Sequence, residues 1–75
     1  MSAERSSQAI RGNIQDLLFN YDPEARGLAA ATLGRDPMGA AHEREALEAL
    51  TTALHDPSLS VQDAVLQSLV RLSVK

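Results

Sequence analysis

The chain contains no cysteine and no tryptophan. Without thiols there is no disulfide staple, no thiolate metal site, no redox motif and no cysteine nucleophile. Two aromatic residues, Phe19 and Tyr21, are too few for a platform on which nucleic-acid bases stack. No apolar run approaches the roughly 18 residues of a membrane span. The start, MSAERSSQAIRG, has no apolar core of the signal-peptide kind. A soluble cytoplasmic chain with no membrane partner is expected. Gly12, Gly27, Gly34 and Gly39 are too dispersed for a phosphate-cradling loop. Basic residues are also scarce, seven against ten acids, for a net charge of −3. That balance suits a phosphate backbone poorly, so nucleic acid is not an expected partner.

What the 75 residues do contain is 44% hydrophobic side chains at helical spacing. The length sets one small domain, with a correspondingly thin margin of stability. Charge is uneven along it. Glu4, Asp16, Asp22 and Glu24 balance Arg5, Arg11, Arg26 and Arg35 in residues 1–35. In residues 36–75 six acids face only Arg44, Arg71 and Lys75, so the whole −3 lies there.

Residues 1–7 are small and polar and are expected to be a flexible N-terminus, with Ser6 or Ser7 available as a cap. Ile10, Ile14, Leu17 and Leu18 then fall at i, i+4, i+7 and i+8, one stripe of an amphipathic helix. Pro23 disfavours helical dihedrals at Asp22, so this helix is expected to stop near Asn20. In "YDPEAR" Asp22 can cap a second helix, Pro23 suits its first position and Glu24 the positive end of its dipole. Ala25, Leu28, Ala29, Thr32 and Leu33 form its stripe, and Gly34 is placed as its terminator. Asp36, Pro37 and Gly39 read as a loop. A third helix is expected from about Ala41 to His55, with Ala46, Leu47, Leu50, Ala53 and Leu54 inward. Asp56-Pro57 breaks it, and Ser58 or Ser60 caps a fourth. There Val61, Ala64, Val65, Leu69 and Leu72 make the stripe, widened by Leu66, Val70 and Val74. No period-two alternation suggests strands.

Shifted by 36 positions, the two halves register. Ile10, Ile14, Leu17 and Leu18 fall on Ala46, Leu50, Ala53 and Leu54. Ala25, Ala29, Leu33 and Arg35 fall on Val61, Val65, Leu69 and Arg71. The two Asp-Pro pairs do not coincide; they sit two residues apart in this register. A two-helix unit repeated at such a period is the mark of an α-solenoid, in which stacking units build the core. The expected fold is all-α: two helix-turn-helix units, about 8–35 and 42–75, in a four-helix minimal solenoid or bundle within one domain, 8–75.

"YDPEARGLAAATLGR" and "HDPSLSVQDAVLQSLVRL" resemble the turn and second helix of HEAT repeats, in the short bacterial and archaeal style also found in phycobilisome lyases. Asp22, Pro23, Ala25, Arg26, Ala29 and Leu33 carry the likeness. The resemblance implies a non-catalytic module that holds other proteins. It also implies a polar ladder between successive units, built from a turn Asp and an Arg. Asp22, Arg26, Asp56 and Gln62 are the residues at those positions, and Gln62 keeps hydrogen bonding without the charge. A phycobilisome-related lyase or antenna-turnover factor is the alternative by family style. A helix-turn-helix DNA binder is a further alternative by topology, though only Arg26, Gln62, Gln67 and Arg71 would serve it and Asp63 opposes phosphate.

No catalytic motif surrounds the Ser and Asp residues. His42 and Glu45 share a helix, but His55 lies some 20 Å along it at about 1.5 Å per residue, so no metal set converges. No enzyme activity, cofactor or small-molecule substrate is expected. The apolar run "LVRLSV" points instead to Leu66, Val70, Leu72 and Val74 as a partner-binding face, buried in a homo-oligomer or against a larger protein.

Overall fold

A computed structural model describes residues 2–35 and 40–74. Four helices account for nearly all of them: α1 Ser2–Phe19, α2 Pro23–Arg35, α3 Ala40–Ala53 and α4 Leu59–Ser73. The all-α expectation is met. The expected loop at Asp36, Pro37 and Gly39 lies outside the described residues.

The helices form two hairpins, α1 with α2 and α3 with α4, laid side by side so that α1 packs on α3 and α2 on α4. The Cα envelope is 36 × 27 × 16 Å, a slab two helices thick. No helix in such a slab is surrounded, so each keeps an outer flank. The core runs along the middle, through Ile10 and Leu17 of α1, Ala29, Ala30 and Leu33 of α2, Ala46, Ala49, Leu50 and Ala53 of α3, and Val61 and Val65 of α4. Ile14, Leu18, Leu54, Ala64, Leu69 and Leu72 lean on it, half-buried. Alanine supplies nearly half of that core, so the helices sit close together.

The two halves match in structure as they do in sequence. α2 begins at Pro23 and α4 at Leu59, 36 positions apart. In the first turn the Asp22 amide donates to Asn20 Oδ1 at 2.8 Å, and in the second the Ser58 amide donates to Asp56 Oδ1 at 2.9 Å. The pairs Asn20 and Asp56, and Asp22 and Ser58, are again 36 apart. The two Asp-Pro steps therefore do different work. Asp22 stands at the N-cap of α2, where its Oδ1 accepts the Glu24 amide at 3.0 Å, with Pro23 in the first helical turn. Asp56 stands two positions earlier relative to its helix and shapes the turn instead.

Several expectations are corrected. α1 begins at Ser2 rather than near Gln8, and Ser6 and Ser7 lie within it; Ala3, Glu4 and Arg5 are good helix formers that extend it backwards. α3 ends at Ala53, and Leu54 and His55 form a tighter turn through amide bonds to Thr51 and Thr52. Ser58 occupies the N-cap of α4 but its side chain makes no capping bond; its Oγ lies 3.0 Å from Ser60 Oγ. On α2, Leu28 faces outward and Ala30 inward. Gly34 does not terminate α2 but lies inside it, at the contact with α4. A Cβ there would collide with Ser68 Oγ and lie 2.6 Å from Ser68 Cα. The close approach lets the buried Ser68 hydroxyl donate to the Ala30 carbonyl. This is the requirement for glycine at position 34.

Candidate functional site

Two features stand out: a polar clasp between the turns and an apolar stripe on the outside of α4. The clasp begins with the α1–α2 turn, where Arg26 projects from the first turn of α2. Its Nη1 donates to the Asn20 carbonyl at 2.9 Å and the Tyr21 carbonyl at 3.1 Å. Its Nε donates to Asp56 Oδ2 at 2.7 Å and its Nη2 to Asp56 Oδ1 at 3.1 Å. This fork-to-fork pair joins the first half of the chain to the second. It is well shielded, with 14% of the Arg26 side chain and 9% of the Asp56 side chain exposed. Hydrogen bonding from Arg26, reinforced by the Ser58 amide and the arginine charge, holds the Asp56 carboxyl below its ordinary value against the opposing effect of burial. The same hydrogen bond, with the charges of Asp56 and Asp22, raises the Arg26 guanidinium.

Gln62 repeats half of this arrangement. Its Nε2 donates to the Asp56 carbonyl at 2.6 Å, as Arg26 donates to the Asn20 carbonyl 36 positions earlier. It has no charge to extend the clasp. Asp22 meets Arg26 through the backbone, where its carbonyl accepts the Arg26 amide at 3.1 Å; its carboxylate is engaged as the α2 cap. Of the four residues expected to form the polar ladder, Arg26, Asp56 and Gln62 are brought together and Asp22 stands beside them.

The second feature is built from α4. Leu66, Val70 and Val74 are 52%, 60% and 73% exposed. Leu72, expected with them, instead packs half-buried against the core. The sequence reading overlooked Leu59, which is 78% exposed. Leu59, Leu66, Val70 and Val74 fall at i, i+7, i+11 and i+15, a single stripe opposite the buried Val61, Val65 and Ser68. Leu59 had a legible signal, because the spacing to Leu66 is two helical turns.

Other surfaces carry less. Phe19 and Tyr21 are 77% and 97% exposed at the α1–α2 turn. An open groove of about 660 Å³ lies between the first turns of α2 and α4, lined by Pro23, Glu24, Leu28, Ala31, Ser60 and Ala64. The Ser60 hydroxyl there pairs with Ser58, not with a base. His42 Nδ1 lies 3.4 Å from Glu45 Oε1 on the outside of α3. Among the described residues no three His, Asp or Glu side chains gather into a metal-binding group. Among them, too, no helix is long and apolar enough to cross a membrane.

Comparison with protein-family models, curated proteins and solved structures returned no match.

Proposed function

We propose that this chain is a small non-catalytic interaction module of the HEAT-repeat kind, which works by presenting a helix face to another protein. The observation that carries the reading is the α4 stripe: three large apolar residues more than half exposed on consecutive outward turns, with Leu59 on the same face beyond Asp63. Scattered single apolar residues are ordinary on a surface, whereas a continuous line of them marks a contact surface. The Arg26–Asp56 clasp supports the reading too, since it fixes the two hairpins against each other and makes the slab a rigid platform. The net charge of −3 and the scarcity of aromatics favour protein over nucleic acid as the partner.

The test is paired affinity capture with the wild-type chain and a Leu66→Glu, Val70→Glu variant of unchanged circular dichroism. The reading expects at least one protein, which includes the chain itself, to bind the wild type and be lost from the variant. Identical captured sets from the two baits, or no binding by either, would contradict it.

A further inference from the structure

We propose that the partner of the α4 stripe is a second copy of this chain, docked antiparallel, α4 against α4, about a two-fold axis near Leu66 and Gln67. The proposal rests on the interaction-module reading and names the occupant of its surface.

The first step asks which element could lie on α4. The 36-residue correspondence equates the outer face of α4 with the face of α2 that receives α4. On α2 that face is made by Gly27, Ala30 and Gly34. Gly27 lies against Val61, the Ala30 carbonyl accepts from Ser68, and Gly34 lets the Ser68 backbone approach. The equivalent residues of α4 are Asp63, Leu66 and Val70. A further hairpin seated on α4 as α4 is seated on α2 would meet three side chains larger than those α2 presents. Val70 would stand where even a Cβ comes within 2.6 Å of the neighbouring helix backbone. The face has lost the small residues that continued stacking needs and carries a leucine-valine ridge instead. It suits an ordinary side-chain-to-side-chain helix contact, with axes about 8–10 Å apart.

The second step is that the ridge is self-complementary, as a two-fold interface must be. Leu59 and Val74 lie at equal distances on either side of the midpoint between Leu66 and Gln67. In an antiparallel pair centred there, Leu59 of one copy therefore meets Val74 of the other, and the two Leu66 side chains meet beside the axis. Asp63 lies on the stripe and Arg71 on its flank, on the same side, and they too straddle the midpoint. Antiparallel docking brings Asp63 of each copy to within about one residue rise, 1.5 Å along the axis, of Arg71 of the other. Two opposite-charge contacts then flank the central Leu66 pair, inside the outer Leu59–Val74 contacts, with Asp63 of each copy level with Val70 of the other. A parallel arrangement would instead set Asp63 near Asp63 and carry the two Arg71 side chains to opposite flanks, so the carboxylates repel with no cation between them.

The absence of native cysteine makes the test clean. Light scattering and sedimentation equilibrium on the full chain are expected to give a concentration-dependent rise from the 8.0 kDa chain mass to twice that value. Asp63→Arg, which is solvent-exposed and outside the core, should weaken the dimer by about tenfold or more through like-charge contact with Arg71. Adding Arg71→Asp to it should restore most of the affinity. Under oxidation Leu66→Cys should cross-link to a covalent dimer, while Gln15→Cys on the outside of α1 should not. A monomer mass at every concentration would overturn the proposal, as would open-ended oligomers or a dimer insensitive to the Asp63 and Arg71 exchange. If the chain stays monomeric but paired capture still yields a protein that needs Leu66 and Val70, the dimer fails and the interaction-module reading stands. If both assays are empty, both fail.

Discussion

The guanidinium of Arg26 holds both carboxylate oxygens of Asp56, thirty residues on in sequence, at 2.7 and 3.1 Å. This forked pair sits in the seam between the two hairpins and ties the α1–α2 turn to the α3–α4 turn. A point charge cannot reproduce it. Arg26→Lys keeps the charge but loses the fork and the bonds to the Asn20 and Tyr21 carbonyls. It is therefore expected to lower the urea midpoint. A double-mutant cycle between Arg26→Ala and Asp56→Ala should show clear non-additivity, because each single change strands the other partner. Additive effects would mean that the clasp contributes no joint stability.

Acid should loosen the same clasp. The folded-state pKa of Asp56 is depressed, so its contribution is fully present above the ordinary carboxylate value of about 3.9 and is lost as pH falls through the folded value. Arg26, whose pKa is raised, stays charged across this window and adds no acid-side slope of its own. The urea midpoint of the wild type is expected to fall as pH drops from about 5 toward 3. Asp56→Asn should be less stable at pH 7 and should show a shallower acid decline. Parallel curves for the two proteins would assign the acid sensitivity to other carboxylates.

Two glycines in helices should respond in opposite directions. Around Gly12 nothing lies within 4 Å of an added Cβ, so Gly12→Ala should stabilise by up to about 1 kcal/mol from helix propensity. In a domain of this size that raises the melting temperature by about 4–8 °C. Gly34→Ala gains the same propensity but drives a methyl into Ser68, including its backbone. The helices must separate, and the melting temperature should fall. Thermal unfolding followed by circular dichroism reads both; a Gly34→Ala variant as stable as Gly12→Ala would show that the α2–α4 contact relaxes without cost.

At the centre of the slab, Leu50 is fully buried. Leu50→Ala is expected to cost about 2–5 kcal/mol, lost transfer energy plus a cavity. That is a large share of the roughly 4–11 kcal/mol that 75 residues ordinarily command. The variant should be partly unfolded at 37 °C by circular dichroism, and a native-like spectrum there would point to a core that refills the gap.

The sequence was most readable where apolar and polar residues contrast. On α1 and α3 the stripes Ile10, Ile14, Leu17, Leu18 and Ala46, Leu50, Ala53 coincide with the core or its edge. On α2 the contrast is weak. Alanines at 25, 29, 30 and 31 leave the inward direction weakly defined, so the spacing of Ala25, Leu28, Ala29, Thr32 and Leu33 points Leu28 inward although it lies outside. Gly34 has the local signature of a helix end. Its actual reason for being glycine is a contact with Ser68, which no short window of sequence contains. Asp56 reads as one half of an Asp-Pro break. Only the HEAT-like resemblance places it with Arg26 in a polar ladder; in the structure Asp56 stands at the position of Asn20 rather than Asp22, which leaves its carboxylate available to Arg26. On α4 the apolar run points correctly to Leu66, Val70 and Val74 but wrongly to Leu72, which packs on the core, while the two-turn spacing that links Leu59 to Leu66 is interrupted by Asp63.

The most direct test of the α4 surface is a dilution series of the isotope-labelled chain followed by amide NMR. Concentration-dependent shifts are predicted at Leu59, Asp63, Leu66, Val70, Arg71 and Val74, while the equally exposed Phe19, Tyr21 and Leu28 stay constant. A spectrum unchanged up to millimolar concentration, or shifts centred on Tyr21 and Leu28, would contradict it.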